Sequence, residues 1–374
     1  MRPGELVPIR DDAAPRVVER IALVRAAGAV PLVGDPRWSA SHWQQVQDAA
    51  SRAEPDPQIA WAAVTSGSSG RPRIVLRTAA SWSSSFPVIA DLLEAGPDDA
   101  VALPAPAVSS LTQFSLAHAA EGGPRPLLPR GRALVAQDFA EATVLHGTPQ
   151  ALRALLDAEG SPRLRAALVG GSHLDPALRA RAEAAGIRVV AYYGAAELSY
   201  VAADHGSGLA LLPGVEADVR DGELWVRSAY VAARYLDGPL RRDGEWIASG
   251  DRATLRDGRV HLLGRMDDAI LSASATIVPE EVEAQLRTLP GVRDAAVVGL
   301  PHRTLGALVA AVIEPDPDAA PSLDDLRGAA AAVLAPAHRP RRWFMGPLPR
   351  TASGKPARAQ IVREIQTGEW VRLV

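Results

Sequence analysis

The feature that most constrains the fold is a series of short apolar runs, each followed by a loop. Residues 59–64, 100–103, 142–145, 166–169 and 189–192 are apolar almost throughout and lack the alternation of a strand with one wet face. A strand buried on both faces has this pattern, and helices flanking a parallel sheet cover both faces. Helical stretches at 150–158 and 176–185 separate the runs, so the order predicts α/β architecture with a mostly parallel sheet. Upstream, 15–27 reads as a helix and 29–33 as a short strand. Ser39 reads as the cap of a helix running through Trp43 and Val46.

After about residue 205 the helical pattern stops. Segments 222–227 and 259–263 read as strands, with Asp-Gly turns at 221–222, 243–244 and 257–258. From 267 the pattern is α+β, with helices at 279–289, 323–334 and from 356, and strands at 294–299, 307–313 and 342–346. The expected architecture is a large N-terminal domain over 1–266, holding mostly parallel sheets plus a small antiparallel β lobe. A small mobile α+β C-terminal domain over 267–374 follows it. A chain of 374 residues is long enough for both.

A net charge of -3 gives no ground for a nucleic-acid or anionic-membrane partner. The absence of cysteine excludes disulfides, thiolate metal sites and a cysteine nucleophile. No leader is visible in MRPGELVPIRDD, and no apolar stretch is long enough to span a bilayer. The expectation is a soluble cytoplasmic protein.

Among 40 basic side chains, Lys355 is the only lysine. It lies in Pro349-Arg350-Thr351-Ala352-Ser353-Gly354-Lys355. A compact ammonium does what a planar guanidinium fork cannot where one charge must stand between two groups. Thr65-Ser66-Gly67-Ser68-Ser69-Gly70-Arg71-Pro72-Arg73 follows a buried run. Its glycines, hydroxyls and N–H groups make either an anion cradle with Arg73 as counter-charge or a flexible turn. It lacks the GxxxxGK[ST] spacing of a Walker loop. Tyr193-Gly194-Ala195-Ala196-Glu197 ends another strand, where ligands of open α/β sheets bind. Tyr193 offers a face to a base, and Glu197 a hard oxygen to Mg²⁺. Gly170-Gly171-Ser172 would let a planar ring approach the backbone. Ser249-Gly250-Asp251 ends in a carboxylate suited to a ribose, and Gly264-Arg265-Met266-Asp267-Asp268 lies where the two expected domains join.

Taken in this order, the motifs resemble those of the adenylate-forming superfamily of acyl-CoA synthetases, luciferases and peptide-synthetase adenylation domains. Residues 65–73 are similar to its phosphate loop TSGSTGxPK, and 193–197 to its YGxTE. Residues 249–251 are similar to its TGD, 264–268 to its GRxDD hinge, and 349–355 to its P-x-T-x-SGK. The resemblance implies a ligase that joins a carboxylic acid to ATP, releases pyrophosphate, and passes the acyl group from AMP to a thiol. CoA is the expected acceptor, with a carrier protein or a degenerate nucleotide binder as alternatives. It also implies roles. Thr65, Ser66, Gly67, Ser68, Ser69, Gly70 and Arg73 hold the ATP phosphates, and Tyr193 stacks on adenine. Glu197 holds Mg²⁺, Asp251 the ribose hydroxyls, and Arg265 ribose and phosphate. Asp267 is the hinge, and Lys355 bridges carboxylate and α-phosphate. A monomer or homodimer is implied.

Several positions depart from the pattern. Ser69 replaces Thr and Arg73 replaces Lys, each keeping a hydrogen-bonding group. Ala196 replaces a Thr whose hydroxyl contacts the AMP phosphate. Ser272-Ala273-Ser274-Ala275-Thr276 stands where the family has glycine along the thiol tunnel. Ala107 stands where many members carry an aromatic or His near the acyl pocket. The phosphate loop begins at 65, far earlier than in typical members. A reduced first subdomain is therefore expected, as in short members such as the o-succinylbenzoate-CoA ligases.

Overall fold

The computed structural model describes residues 1–373 except 12, 67–71, 132–134, 159–160, 173, 266–269, 273–274, 304–305 and 352–353. Its strands form three sheets. In the first, Leu6–Ile9, Val30–Val33 and Trp61–Ser66 run parallel; Pro72–Arg77 and then Arg234–Tyr235 add antiparallel. The second begins with a parallel block ordered Arg125–Leu127, Ala100–Ala102, Val144–Gly147, Ala166–Val169, Arg188–Ala195. The apolar runs at 100–103, 142–145, 166–169 and 189–192 are the interior strands of this block, while the run at 59–64 belongs to the first sheet. Val144–Gly147 and Ala166–Val169 are buried at every residue, with helices Pro149–Asp157 and Pro176–Ala184 packed alongside.

The antiparallel strands after 199 continue this sheet rather than standing apart. Ser199–Asp204 pairs directly with Arg188–Ala195, and the order runs on through Leu209–Leu211, Arg259–Arg265, Trp246–Arg256, Glu223–Arg227 and Glu216–Arg220. Two of the Asp-Gly turns form as expected. Asp221–Gly222 and Asp257–Gly258 both have two positive φ angles, the type I′ geometry that matches strand twist. At the third, Asp243 pairs with Trp246, so the turn residues are Gly244–Glu245, one position later than the sequence suggested.

One expectation about the phosphate loop is corrected. The sequence reading had each buried run lead through a loop into a helix, but Trp61–Ser66 leads into the strand Pro72–Arg77, which pairs back on it from Trp61↔Arg77 to Ser66↔Pro72. The loop therefore joins two antiparallel strands rather than a strand and a helix. Ser39 does cap its helix: its hydroxyl accepts from His42 N at 3.1 Å, opening Ala40–Ser51.

The C-terminal sheet is built on the long hairpin Val292–His302 with Gly306–Pro315. Ile270–Ser272 and Ala275–Ile277 flank it on one side, and Arg342–Met345 adds parallel to Gly306–Pro315. Helices Pro279–Leu286 and Leu323–Val333 share one apolar core with it, and Arg358–Thr367 covers a second through Ile361. Ser322 opens Leu323–Val333 with a capping box closed by Asp325. No described helix is long and apolar enough to cross a membrane.

Candidate active site

Three strand ends meet at one edge of the large sheet: His146–Thr148, Gly170–Ser172 and Tyr193–Ala195. Beside them the Ser249–Asp251 segment bulges out of its long strand. Gly250 has φ +77, and a Cβ there would lie 3.0 Å from Arg265 Nη2, so glycine is required. The bulge is fixed from beneath. Buried Glu223 accepts the Gly250 N–H at 2.9 Å and also pairs with Arg241. Ser249 Oγ accepts from Asp251 N at 2.9 Å. Asp251 is thereby presented to two partners. Tyr193 Oη donates to its Oδ2 at 2.5 Å, and Arg265 Nη1 donates to its Oδ1 at 3.2 Å. Burial, and then the Asp251 charge, push the Tyr193 phenol well above its ordinary range, so it stays a donor.

Lys355 arrives at this cluster from the C-terminal unit. Its loop is tied down by Arg350, which donates to Asp294 at 2.8 Å and Glu314 at 2.9 Å. The loop closes on itself through Thr351 N to Lys355 O at 2.8 Å and Gly354 N to Thr351 O at 2.9 Å. Gly354, at φ +81, lies against Thr148 and Gln150: a Cβ there would meet Gln150 Oε1 at 3.1 Å. A second contact of this kind lies at Gly264, φ +111, where a Cβ would run into Glu280 and Val278 at 2.4 Å. Lys355 is exposed to solvent along its side chain, with protein packed around its ammonium. That crowding pulls its ammonium below the ordinary lysine value. Asp251 and Glu280 oppose the fall, and Arg265 and Arg358 add to it.

A second cluster surrounds Glu197. The stretch Ala196–Leu198 is the turn of a hairpin between two strands, not the start of a helix. Tyr235 Oη donates to Glu197 Oε1 at 3.0 Å, and the Arg73 guanidinium lies 5.4 Å from the centre of the Tyr235 ring. Burial, then the Glu197 charge, push Tyr235 up to about 12. The turn itself is clamped. Ala232 N donates to Glu197 O at 2.7 Å, and fully buried Arg77 donates to Ala196 O at 3.0 Å and Tyr230 O at 2.8 Å. Burial lowers Arg77 to about 9, with Glu197 opposing.

The structure thus brings Tyr193, Asp251, Arg265 and Lys355 together, and joins Arg73 to Glu197 through Tyr235. Thr65 pairs with Arg73 across the hairpin, its Oγ1 3.5 Å from Arg73 O. Ser66 is the last residue of its strand. Gly171 has φ +84, and Ser172 Oγ is buried without a hydrogen-bond partner in the protein. A planar ring does lie on the backbone at Gly170, but it is the protein's own Tyr192, at 2.3 Å from a Cβ built there. Gly67, Ser68, Ser69, Gly70, Asp267, Ala273 and Ser274 lie outside the described residues. Sequence reasoning missed Arg77, Glu223 and Tyr235. A lone charged or phenolic residue in a strand gives no sign of its partners.

The metal-binding reading fits the residues present. Among the described residues no group of three His, Asp or Glu side chains converges. Mg²⁺ commonly takes one or two carboxylates and completes its shell with water and substrate phosphates, so Glu197 alone suffices.

Known proteins resemble this chain in sequence and in fold. The family model for AMP-binding enzymes matches residues 8–236, and that for the AMP-binding enzyme C-terminal domain matches 281–355. A 2-succinylbenzoate–CoA ligase of Salmonella typhimurium is 33% identical over 67% of this chain and 57% of its own length. The chain thus spans little more than half of that relative. A probable 2-succinylbenzoate–CoA ligase of Mycobacterium tuberculosis is 31% identical over 82% of this chain and 85% of its own. Among solved structures, a variant of E. coli MenE with bound OSB-AMS superposes with TM-score 0.85 at 24% identity, covering 98% of this chain and 89% of that one, which speaks to the fold. The chain belongs to the AMP-binding enzyme family of adenylate-forming proteins.

Proposed function

We propose that this chain is an AMP-forming acid:thiol ligase, with CoA as acceptor. The observation that carries the reading is Lys355, its sole lysine, brought to the Asp251–Arg265–Tyr193 cluster. In the first step a carboxylate oxygen attacks the α-phosphorus of ATP, the bond to the β-phosphate oxygen breaks, and pyrophosphate leaves. Two anions must approach, and charge spreads over phosphoryl oxygens. Positioned cations are therefore the main source of stabilisation. Lys355 takes the place between carboxylate and phosphate, Arg265 the phosphate side, and Asp251 the ribose hydroxyls. Tyr193 and Glu223 act through Asp251: one fixes its carboxylate, the other the bulge that presents it. Residues 65–73 hold the outer phosphates. Mg²⁺, held by Glu197, would neutralise phosphate charge. In the second step a thiolate attacks the acyl carbon, and AMP leaves with the bridging oxygen.

The direct test is acid-dependent pyrophosphate release across a panel of carboxylic acids, followed by CoA addition. Release with at least one acid, and a thioester on adding CoA, is expected. ATP binding with no release for any acid would overturn the reading.

The lowered Lys355 ammonium gives a pH signature. The group acts when charged and loses its proton as pH rises, so activity falls on the alkaline side. That limb in kcat/KM, which reports the free enzyme, is expected below 10.5, the ordinary lysine value. Bound nucleotide adds negative charge and favours the ammonium, so the limb in kcat should lie at higher pH than that in kcat/KM. A kcat/KM limb at or above the kcat limb would contradict the assignment.

The second step also needs access to the face that the Lys355 loop covers. We infer that residues 1–266 and 267–374 are separate domains and that the second rotates about Asp267. Proline fixes φ and should lock one orientation. Asp267→Pro is expected to keep pyrophosphate release while thioester formation falls at least tenfold, roughly, on the scale of losing a required rearrangement. Thioester synthesis at the unmodified rate in that variant would rule the rotation out.

A further inference from the structure

The Lys355 loop lies beyond the end of the strand Val144–Gly147, with Gly354 against Thr148 and Gln150, and Ala166–Val169 and Arg188–Ala195 are the next strands of the sheet. A carboxylate held there has His146–Thr148, Gly170–Ser172 and Tyr192–Ala195 beneath it. Its tail can run outward to solvent, or inward between these strands and the helix Ser110–Ala120. Fatty and aryl acids need the inward route to bury their apolar surface.

That route is filled by locked side chains. The Tyr192 ring lies on Gly170, where a Cβ would fall 2.3 Å from Tyr192 Cζ. Its hydroxyl is 3.2 Å from His146 Nε2, and Tyr200 Oη reaches the same nitrogen at 3.2 Å. His146 Nδ1 is 2.7 Å from Ser115 Oγ on the helix, so one imidazole ties sheet to helix. Burial holds that imidazole neutral. The Tyr192 and Tyr200 rings are 4.8 Å apart, and Tyr200 is 4.8 Å from Phe114, edge to face. His146, Tyr200 and Phe114 are 1%, 3% and 2% exposed. Moving Tyr192 aside for a tail would strip hydrogen bonds and ring contacts together. Close-packed interiors do not yield such space by small adjustments.

We propose, resting on the ligase reading above, that Tyr192 determines specificity by closing the acid site, and that the substrate is a short carboxylic acid of the acetate-to-butyrate class. The likeness to 2-succinylbenzoate ligases then does not extend to the acid.

The test is pyrophosphate release with acetate, propionate, butyrate, hexanoate, octanoate, benzoate and 2-succinylbenzoate. In the unmodified enzyme, kcat/KM for propionate should exceed that for octanoate or benzoate by about a hundredfold or more, at least the upper part of the range that a single misplaced methylene commands. Tyr192→Gly should raise the hexanoate-to-propionate ratio at least about tenfold, the effect of admitting a few methylenes. Tyr192→Phe keeps the ring and should leave that ratio within about threefold. Calorimetric binding of propionyl- and benzoyl-sulfamoyl adenosine supplies a readout free of turnover, with the propionyl compound binding tighter. If Tyr192→Gly fails to fold, the panel and the binding comparison still decide. Octanoate or benzoate turned over as well as propionate, or equal binding of the two analogues, would overturn the size filter alone. No release with any acid and no binding of either analogue would remove the ligase reading, and this proposal with it.

Discussion

Lys355→Ala is expected to slow adenylation on the order of a hundred- to a thousand-fold, the usual cost of removing one group aimed at developing charge, while ATP still binds. The loop that carries Lys355 is held by Arg350 on Asp294 and Glu314, and by backbone bonds within 351–355. None of these involves the lysine side chain, so its loss should leave loop and fold in place. Asp251, Arg265 and Tyr193 also keep their mutual bonds. Lys355→Arg should be nearly as poor, because a planar fork cannot take the position of a point charge between two anions. Pyrophosphate–ATP exchange measures this step directly. Exchange at the unmodified rate in Lys355→Ala would remove the lysine from the chemistry.

The second large effect is on stability. Glu283 is 2% exposed and lies in the C-terminal unit. Its carboxylate accepts Val297 N at 2.8 Å and Arg358 at 2.9 Å, and pairs with Arg287 at 3.4 Å. Arg358 opens the last helix, three residues beyond Lys355. Removing one partner of a buried ion pair leaves the other charge uncompensated, which costs about 3–5 kcal/mol. The lower end applies here, because Arg287 keeps Asp294 and Arg358 keeps Glu280, each at 2.8 Å, and both guanidiniums keep some access to water. Glu283→Ala should therefore destabilise this unit by about 3 kcal/mol in denaturant unfolding. A change below about 1 kcal/mol, the range of exposed pairs, would show that water relieves the charges.

The parts legible in the sequence were those where local chemistry dictates residue type. Buried strands of the parallel block read as apolar runs, and Asp-Gly pairs marked turns because two positive φ angles exclude most residues. The motif residues were legible because their types and spacing match the family's motifs in order along the chain. What stayed hidden acts across long separations. Arg77 reaches Ala196 across 119 positions, Tyr235 reaches Glu197 across 38, and Glu283 reaches Arg358 across 75. The helix Ser110–Ala120 was not foreseen either. Residues 112–118 are all buried, so no polar face marks its period. The strand Pro72–Arg77 opens on a proline, which is tolerated at a strand's first residue but reads from sequence as a loop.

The central claim is that the acid is joined to AMP before it meets a thiol, and oxygen tracing tests it most directly. The acid, labelled with ¹⁸O in its carboxylate, is incubated with ATP, Mg²⁺ and CoA, and the phosphate products are weighed by mass spectrometry. One labelled oxygen should appear in AMP, because the carboxylate oxygen that attacked the α-phosphorus leaves with it when the thioester forms. Label found in inorganic phosphate, with ADP as the nucleotide product, would contradict the acyl-adenylate route.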